Sequence, residues 1–183
     1  MLTAGEIAAQ IKAGEIGWSG GLRGDSLLLC LGSPLQPLVA RSPGQVVDLV
    51  DQGSIDSLYG PAEDAWQSFD LAPGQMALCQ AHLPVRLGPA LAGAISTLSH
   101  LARVGLATHV ASPWVLPGWD GYLTFELANA GPAALRLRHG MPAARLTVFR
   151  MDGATRPAAR HPFYGGGQLG SRYADEFTPD QWR

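Results

Sequence analysis

Ser99 and Arg103 lie four residues apart in SHLARVGL (99–106), a separation that puts two side chains on one face of a helix. A hydroxyl and a guanidinium projecting together suit an oxyanion, a phosphate or an ordered water. The same spacing also describes a plain helix face with a solvated arginine. Glu126 lies in GYLTFELAN (121–129), where strand alternation sends Tyr122, Thr124 and Glu126 to one face and Leu123, Phe125 and Leu127 to the other. From Leu71 to Met151 the only acids are Asp120 and Glu126, so this carboxylate stands in a segment poor in negative charge. It reads either as a proton-transfer group or as a solvent-facing strand residue. His109, in the strand-like run LATHVA (106–111), has the setting of a packed, hydrogen-bonded histidine.

Metal chemistry has little to draw on. The five histidines, at 82, 100, 109, 139 and 161, show no HxxxH or similar ligand spacing, and neither Cys30 nor Cys79 sits in a PCxxC pair. This inventory excludes a zinc deaminase of the HxE plus PCxxC type, so any deamination here must activate water without a metal.

The elements that would position these groups are short. Thr3 and Glu6 have capping-box spacing, Ile7 and Ile11 follow at i, i+4, and Gly14 is a stop, which predicts a helix over about 3–13. Ser96 or Thr97 is placed to N-cap a second short helix that Gly105 ends. Gly and Pro punctuate the remainder, and the best strands are 26–32, 45–50, 75–81, 106–111, 121–129, 134–139 and 145–151. Residues 52–72 read as an irregular excursion. The pattern predicts a mainly β, largely antiparallel domain over 1–151 with one or two short helices. Over 152–183 the strand pattern is lost and Gly165, Gly166 and Gly167 free the backbone, so this tail reads as mobile.

A length of 183 residues and 46% hydrophobic content fit one domain with a sizeable core. The formal charge of −2, the scattered arginines and a single lysine, Lys12, offer no cationic stripe for duplex nucleic acid. The N-terminal residues lack a basic region followed by an apolar one, and no apolar run approaches the ~20 residues of a membrane span. Cys30 and Cys79 read as buried, reduced thiols, which points to the cytoplasm.

Residues 93–131 resemble the core of the deoxycytidine triphosphate deaminases. The pieces that carry the resemblance are Ser99-His100-Leu101-Ala102-Arg103-Val104-Gly105-Leu106, then His109, then Pro117-Gly118-Trp119, then Phe125-Glu126-Leu127. Weaker likenesses extend over the N-terminal helix, Pro73–Gln80, Arg138–Met151 and the tail element Phe163-Tyr164-Gly165-Gly166-Gly167-Gln168. Leu28, Leu98 and Leu116 stand where that family has Asp, Arg and Asp. The resemblance implies a dUTPase-like distorted β-barrel or jelly roll, a homotrimer with sites between subunits, and hydrolytic conversion of dCTP to dUTP and ammonia. It implies Glu126 as general acid/base, Ser99 to orient the water and Arg103 to hold charge near base and phosphates. His109, Ser112, Trp119, Tyr164, Gln168 and Arg172 would bind the nucleotide, with the tail as a lid. Mg2+ would accompany the triphosphate as a counter-charge. A non-catalytic trimer that binds nucleotide or a protein partner is the alternative. A dUTP diphosphatase ranks lower, because its general-base Asp is absent from Val115-Leu116-Pro117.

Overall fold

The computed structural model describes residues 1–152. The chain opens with helix α1 (Ala4–Lys12), followed by β1 (Ile16–Gly17), the long β2 (Leu27–Pro37) and the short helix α2 (Gln52–Asp56). Then come β3 (Ser68–Leu71), β4 (Met76–Ala81), β5 (Val85–Leu87), β6 (Leu91–Thr97) and helix α3 (Ser99–Ala102). The last strands are β7 (Leu106–Ala107), β8 (Trp114–Val115), β9 (Asp120–Gly121), β10 (Thr124–Asn129), β11 (Leu135–Arg138) and β12 (Pro142–Arg150). A seven-stranded sheet in the order β7-β10-β4-β2-β12-β6-β8 carries the fold, with the smaller sheets β1-β5-β9 and β11-β3. Every strand pair is antiparallel, and the mainly β expectation holds.

The large sheet bends around one core at β2. β2 pairs with β12 through Leu27–Cys30 and with β4 at Leu31 and, across a register shift, through Leu35–Pro37. One strand therefore serves two arms of the sheet, as a bulge or corner permits. The core that the arms enclose includes Leu27, Leu29, Leu31 and Leu35 of β2, Phe125 and Leu127 of β10, and Leu146 and Val148 of β12. Helix α1 closes one end with Ile7 fully buried. Its capping box forms as expected: Thr3 N–H donates to Glu6 Oε2 at 2.8 Å and Glu6 N–H donates to the Thr3 hydroxyl at 3.3 Å.

Four local expectations are corrected. Residues 52–72 are not an irregular excursion throughout, since they hold α2 and β3. The run 45–50 is not a strand: Val46, Leu49 and Val50 are exposed, and side chains take the backbone donors that a ladder would use. Asp48 N–H donates to the Ser54 hydroxyl, Val50 N–H donates to Asp48 Oδ1, and Asp51 caps α2. Ser96 and Thr97 do not cap α3, because both lie in β6; Leu98 occupies the cap position without a side-chain bond. The 106–111 strand ends at Ala107, for a reason that belongs to the site.

Candidate functional site

Glu126 is fixed from its own strand outward. In β10 Phe125, Leu127 and Asn129, and Leu123 just before it, turn inward and are buried, which sends the alternate residues Thr124, Glu126 and Ala128 to the opposite face. Glu126 pairs with Leu78 of β4 on one side. On the other, its N–H donates to the Thr108 carbonyl at 3.2 Å. Its half-buried carboxylate reaches the same segment, where Oε2 accepts the Val110 N–H at 2.8 Å. Strand β7 stops here because the next donors are taken by side chains: Thr108 N–H donates to the Thr97 hydroxyl at 2.9 Å, and Val110 N–H donates to Glu126.

His109 stands between those two residues. Its ring is half-buried, and its Nδ1 is buried without a hydrogen-bond partner among the described residues. Buried polar atoms are nearly always satisfied, which makes the unmet ring nitrogen of His109, in the segment that orients Glu126, one of few exceptions among the described residues. Ser112 is exposed in the same loop, ahead of Pro113, whose carbonyl accepts the Ile95 N–H at 2.7 Å.

Ser99 and Arg103 project from the single turn of α3, with Arg103 N–H donating to the Ser99 carbonyl at 3.1 Å. Both side chains are exposed, and neither hydroxyl nor guanidinium has a partner among the described residues. Arg136, by contrast, is committed to Asp70 at 2.7 Å, and Arg41 to the Ser57 and Tyr59 carbonyls at 2.8 and 2.9 Å. Gly105 ends the turn as expected, with φ +98°. It is required there, because a Cβ would collide with the backbone of Gly131. Trp119 is held by the small sheet: its indole N–H donates to the Gly121 carbonyl at 3.1 Å, its carbonyl accepts the Leu87 N–H, and the ring packs on the core. Tyr164, Gln168 and Arg172, together with the proposed lid, lie outside the described residues.

The sequence reading missed Thr108 and took Thr97 only for a helix cap. Thr108 is fully buried, Thr97 is half-buried, and their hydroxyls lie 2.9 Å apart. Neither position stands out by helical or strand periodicity, so nothing local announced the pair. Asn129 was missed as well. It is buried, donates to the Leu71 and Ala133 carbonyls and accepts the Gly131 N–H, which fixes the turn packed against Gly105.

The three leucines differ in setting. Leu98 is buried at 3% exposure and Leu116 is exposed at 42%. Leu28 lines a cavity of about 110 Å³ with Trp18, Cys30 and His82. That cavity includes none of Ser99, Arg103, His109 or Glu126. Among the described residues no group of three or more His, Cys, Asp or Glu side chains is placed to hold a metal ion.

The family model for dCTP deaminase-like proteins matches residues 1–151. The chain is 30% identical to the dUMP-forming dCTP deaminase of Parafrankia sp. (strain EAN1pec) over 183 residues, which cover 98% of this chain and 88% of that protein. It is 36% identical to the corresponding Acidothermus cellulolyticus protein over 113 residues, or 62% of this chain and 56% of that one. For the Streptomyces coelicolor protein the figures are 35% over 130 residues, 71% and 64%. The chain thus matches less than two thirds of the length of two of these three relatives. The fold is similar to that of the 2′-deoxycytidine 5′-triphosphate deaminase from Agrobacterium tumefaciens, with a TM-score of 0.60 and 19% identity over 80% of this chain and 47% of that one. The family match runs through every strand of the domain and through Ser99, Arg103, His109 and Glu126: this chain belongs to the dCTP deaminase-like family.

Proposed function

We propose that the protein removes the 4-amino group of dCTP by metal-free attack of water, with Glu126 as the proton-transfer group. One observation carries this reading. Glu126 is a half-buried carboxylate in an acid-poor segment, oriented by the N–H of Val110, the residue that follows His109 with its unpartnered ring nitrogen. A carboxylate so fixed can take a proton from water as it adds to C4, pass it to the pyrimidine ring, and assist departure of ammonia. Ser99 and Arg103 offer a hydroxyl and a guanidinium, uncommitted among the described residues, for the water and the phosphates. The loop from His109 to Ser112 lies beside Glu126 and supplies groups to read the base edge. Tyr164, Gln168 and Arg172 would complete the nucleotide contacts from the tail. Trp119 serves this reading by holding the wall, since its indole N–H is spent on Gly121.

The released nucleotide is corrected by the relatives, whose names describe dUMP-forming enzymes. We therefore take the products to be dUMP, diphosphate and ammonia, from two waters and one dCTP, in place of dUTP. Leu116 supplies no carboxylate for the second hydrolysis, so that water must be activated by other groups. Mg2+ enters with the triphosphate, neutralising phosphate charge; the described side chains form no ligand set for it, and no step is routed through it. A homotrimer with sites between subunits is part of the proposal. So is a cytoplasmic setting, supported by the free thiols Cys30 and Cys79. Among the described residues no helix is long and apolar enough to cross a membrane.

The test is incubation of purified protein with dCTP and Mg2+, assaying ammonia, diphosphate and the nucleotide. Ammonia with dUMP supports the proposal, and ammonia with dUTP restores simple deamination. Neither product would leave a nucleotide-binding role without catalysis, which the buried apolar Leu98 would then explain.

A further inference from the structure

We propose that the Thr97 and Thr108 hydroxyls form a clasp that positions Glu126, a role that rests on the deaminase reading above. In the large sheet β7 is the first strand and β6 the sixth, so no ladder of that sheet joins them. Side chains join them instead. Thr108, the residue after β7, donates its N–H to the hydroxyl of Thr97, the last residue of β6, at 2.9 Å, and the two hydroxyls share a further hydrogen bond at 2.9 Å. The clasp ties two distant strands of the curved sheet at the level of the site.

Both halves of the candidate machinery hang from this joint. Towards β10, the Thr108 carbonyl accepts the Glu126 N–H, and two residues on the Val110 N–H orients the Glu126 carboxylate. A shift of Thr108 thus moves both the main chain and the side chain of Glu126. In the other direction, Thr97 leads into Leu98, whose N–H is held by the Ala143 carbonyl and whose own carbonyl accepts the Leu101 and Ala102 N–H groups that start α3. The turn bearing Ser99 and Arg103 therefore starts from the same anchor. Valine has nearly the shape of threonine and would suit a buried position as well. The hydroxyls matter because Thr108 is fully buried, so water cannot replace the partner that its N–H would lose.

These threonines are positioning residues, and the test separates that role from simple packing. Thr97→Val keeps the volume and removes the acceptor, whereas Thr97→Ser keeps the acceptor. With the fold verified by thermal melting, Thr97→Val should speed hydrogen exchange of the Val110 amide by about tenfold or more, and Thr97→Ser should leave it near the wild-type rate. For dCTP turnover we expect kcat to fall by roughly 10- to 100-fold in the valine variant with KM changed less than about threefold, and recovery in the serine variant. If Thr97→Val does not fold, Thr108→Val removes the hydroxyl pair while keeping the N–H bond to Thr97, and the same amide is read. Unchanged Val110 exchange in a folded valine variant overturns the clasp whether or not the protein turns over dCTP. So does an undiminished kcat in an active one. Failure of the wild-type protein to release ammonia would refute the deaminase reading alone, because the exchange experiment needs no substrate.

Discussion

Glu126→Gln replaces one carboxylate oxygen by an amide nitrogen at nearly constant shape. The strand register Glu126↔Leu78 is a backbone feature and is unaffected. The side-chain bond from Val110 at 2.8 Å changes from a charged to a neutral acceptor. Bonds to charged groups are worth roughly 1.5–3 kcal/mol and neutral ones about 0.5–1.5, so the fold should lose about 1 kcal/mol, or roughly 2–4 °C in melting temperature for a domain of this size. Removal of a general acid/base lowers turnover by about 10²- to 10⁴-fold, equivalent to roughly 3–5 kcal/mol in the barrier. The barrier effect should therefore exceed the stability effect several-fold. Ammonia release from dCTP at 25 °C, a melting curve and a calorimetric nucleotide titration measure the three quantities on one sample. Wild-type turnover in the variant would refute the mechanism. A rate loss accompanied by a melting temperature more than about 10 °C lower would assign Glu126 to the fold instead of the chemistry.

Further outcomes follow from single sites. Leu98→Arg places a charge at a position 3% exposed, so it should cost several kcal/mol of stability; an unchanged melting temperature with tighter triphosphate binding would show that the guanidinium escapes to the phosphates. Burial pushes the Cys79 thiol up to about 12, so at neutral pH it should resist thiol reagents until the domain unfolds; prompt labelling of Cys79 in the native protein would contradict its buried setting. Hydrogen bonds from the Thr3 backbone and side chain hold the Glu6 carboxyl below its ordinary value. The cap's contribution is thus complete above the ordinary carboxylate value and is lost as pH falls through the lowered one, which amide exchange in the first turn of α1 would follow. Removal of residues 164–183 should leave the melting temperature of the domain unchanged and abolish productive nucleotide binding; wild-type kinetics after truncation would remove the tail from the site.

What the sequence disclosed depended on how local each interaction is. The cap at Thr3 and Glu6, the stop at Gly105 and the inward set Leu123, Phe125 and Leu127 are decided within a few residues, and the structure shows all three. Alternation alone was enough to place Glu126 opposite that set. The errors came where side chains bind backbone donors at a distance. Asp48 and Ser54 divert 45–50 from a strand, and Thr97 and Glu126 end β7 early from 11 and 16 residues away. Strands β5 and β6 were overlooked because the first is only three residues long and Gly93 interrupts the second, and β3 fell within 52–72, which read as irregular. Residues 33–37 were missed because β2 continues past the glycine and proline that seemed to stop it. Ser99 and Arg103 drew notice by spacing, but the joint that carries their turn had no periodic signature.

The place of β12 in the sheet has a consequence for how the protein is made. This strand, the last in sequence among the described ones, lies between β2 and β6, and Val148 also receives the N–H of Leu2 through its carbonyl. During synthesis, β2 and β6 emerge long before the strand that joins them, and both present open edges until about residue 150 has left the ribosome. Folding of the sheet is thereby postponed until β12 has emerged, and nascent chains stalled before it would expose two unpaired strands that invite pairing between neighbours on one messenger.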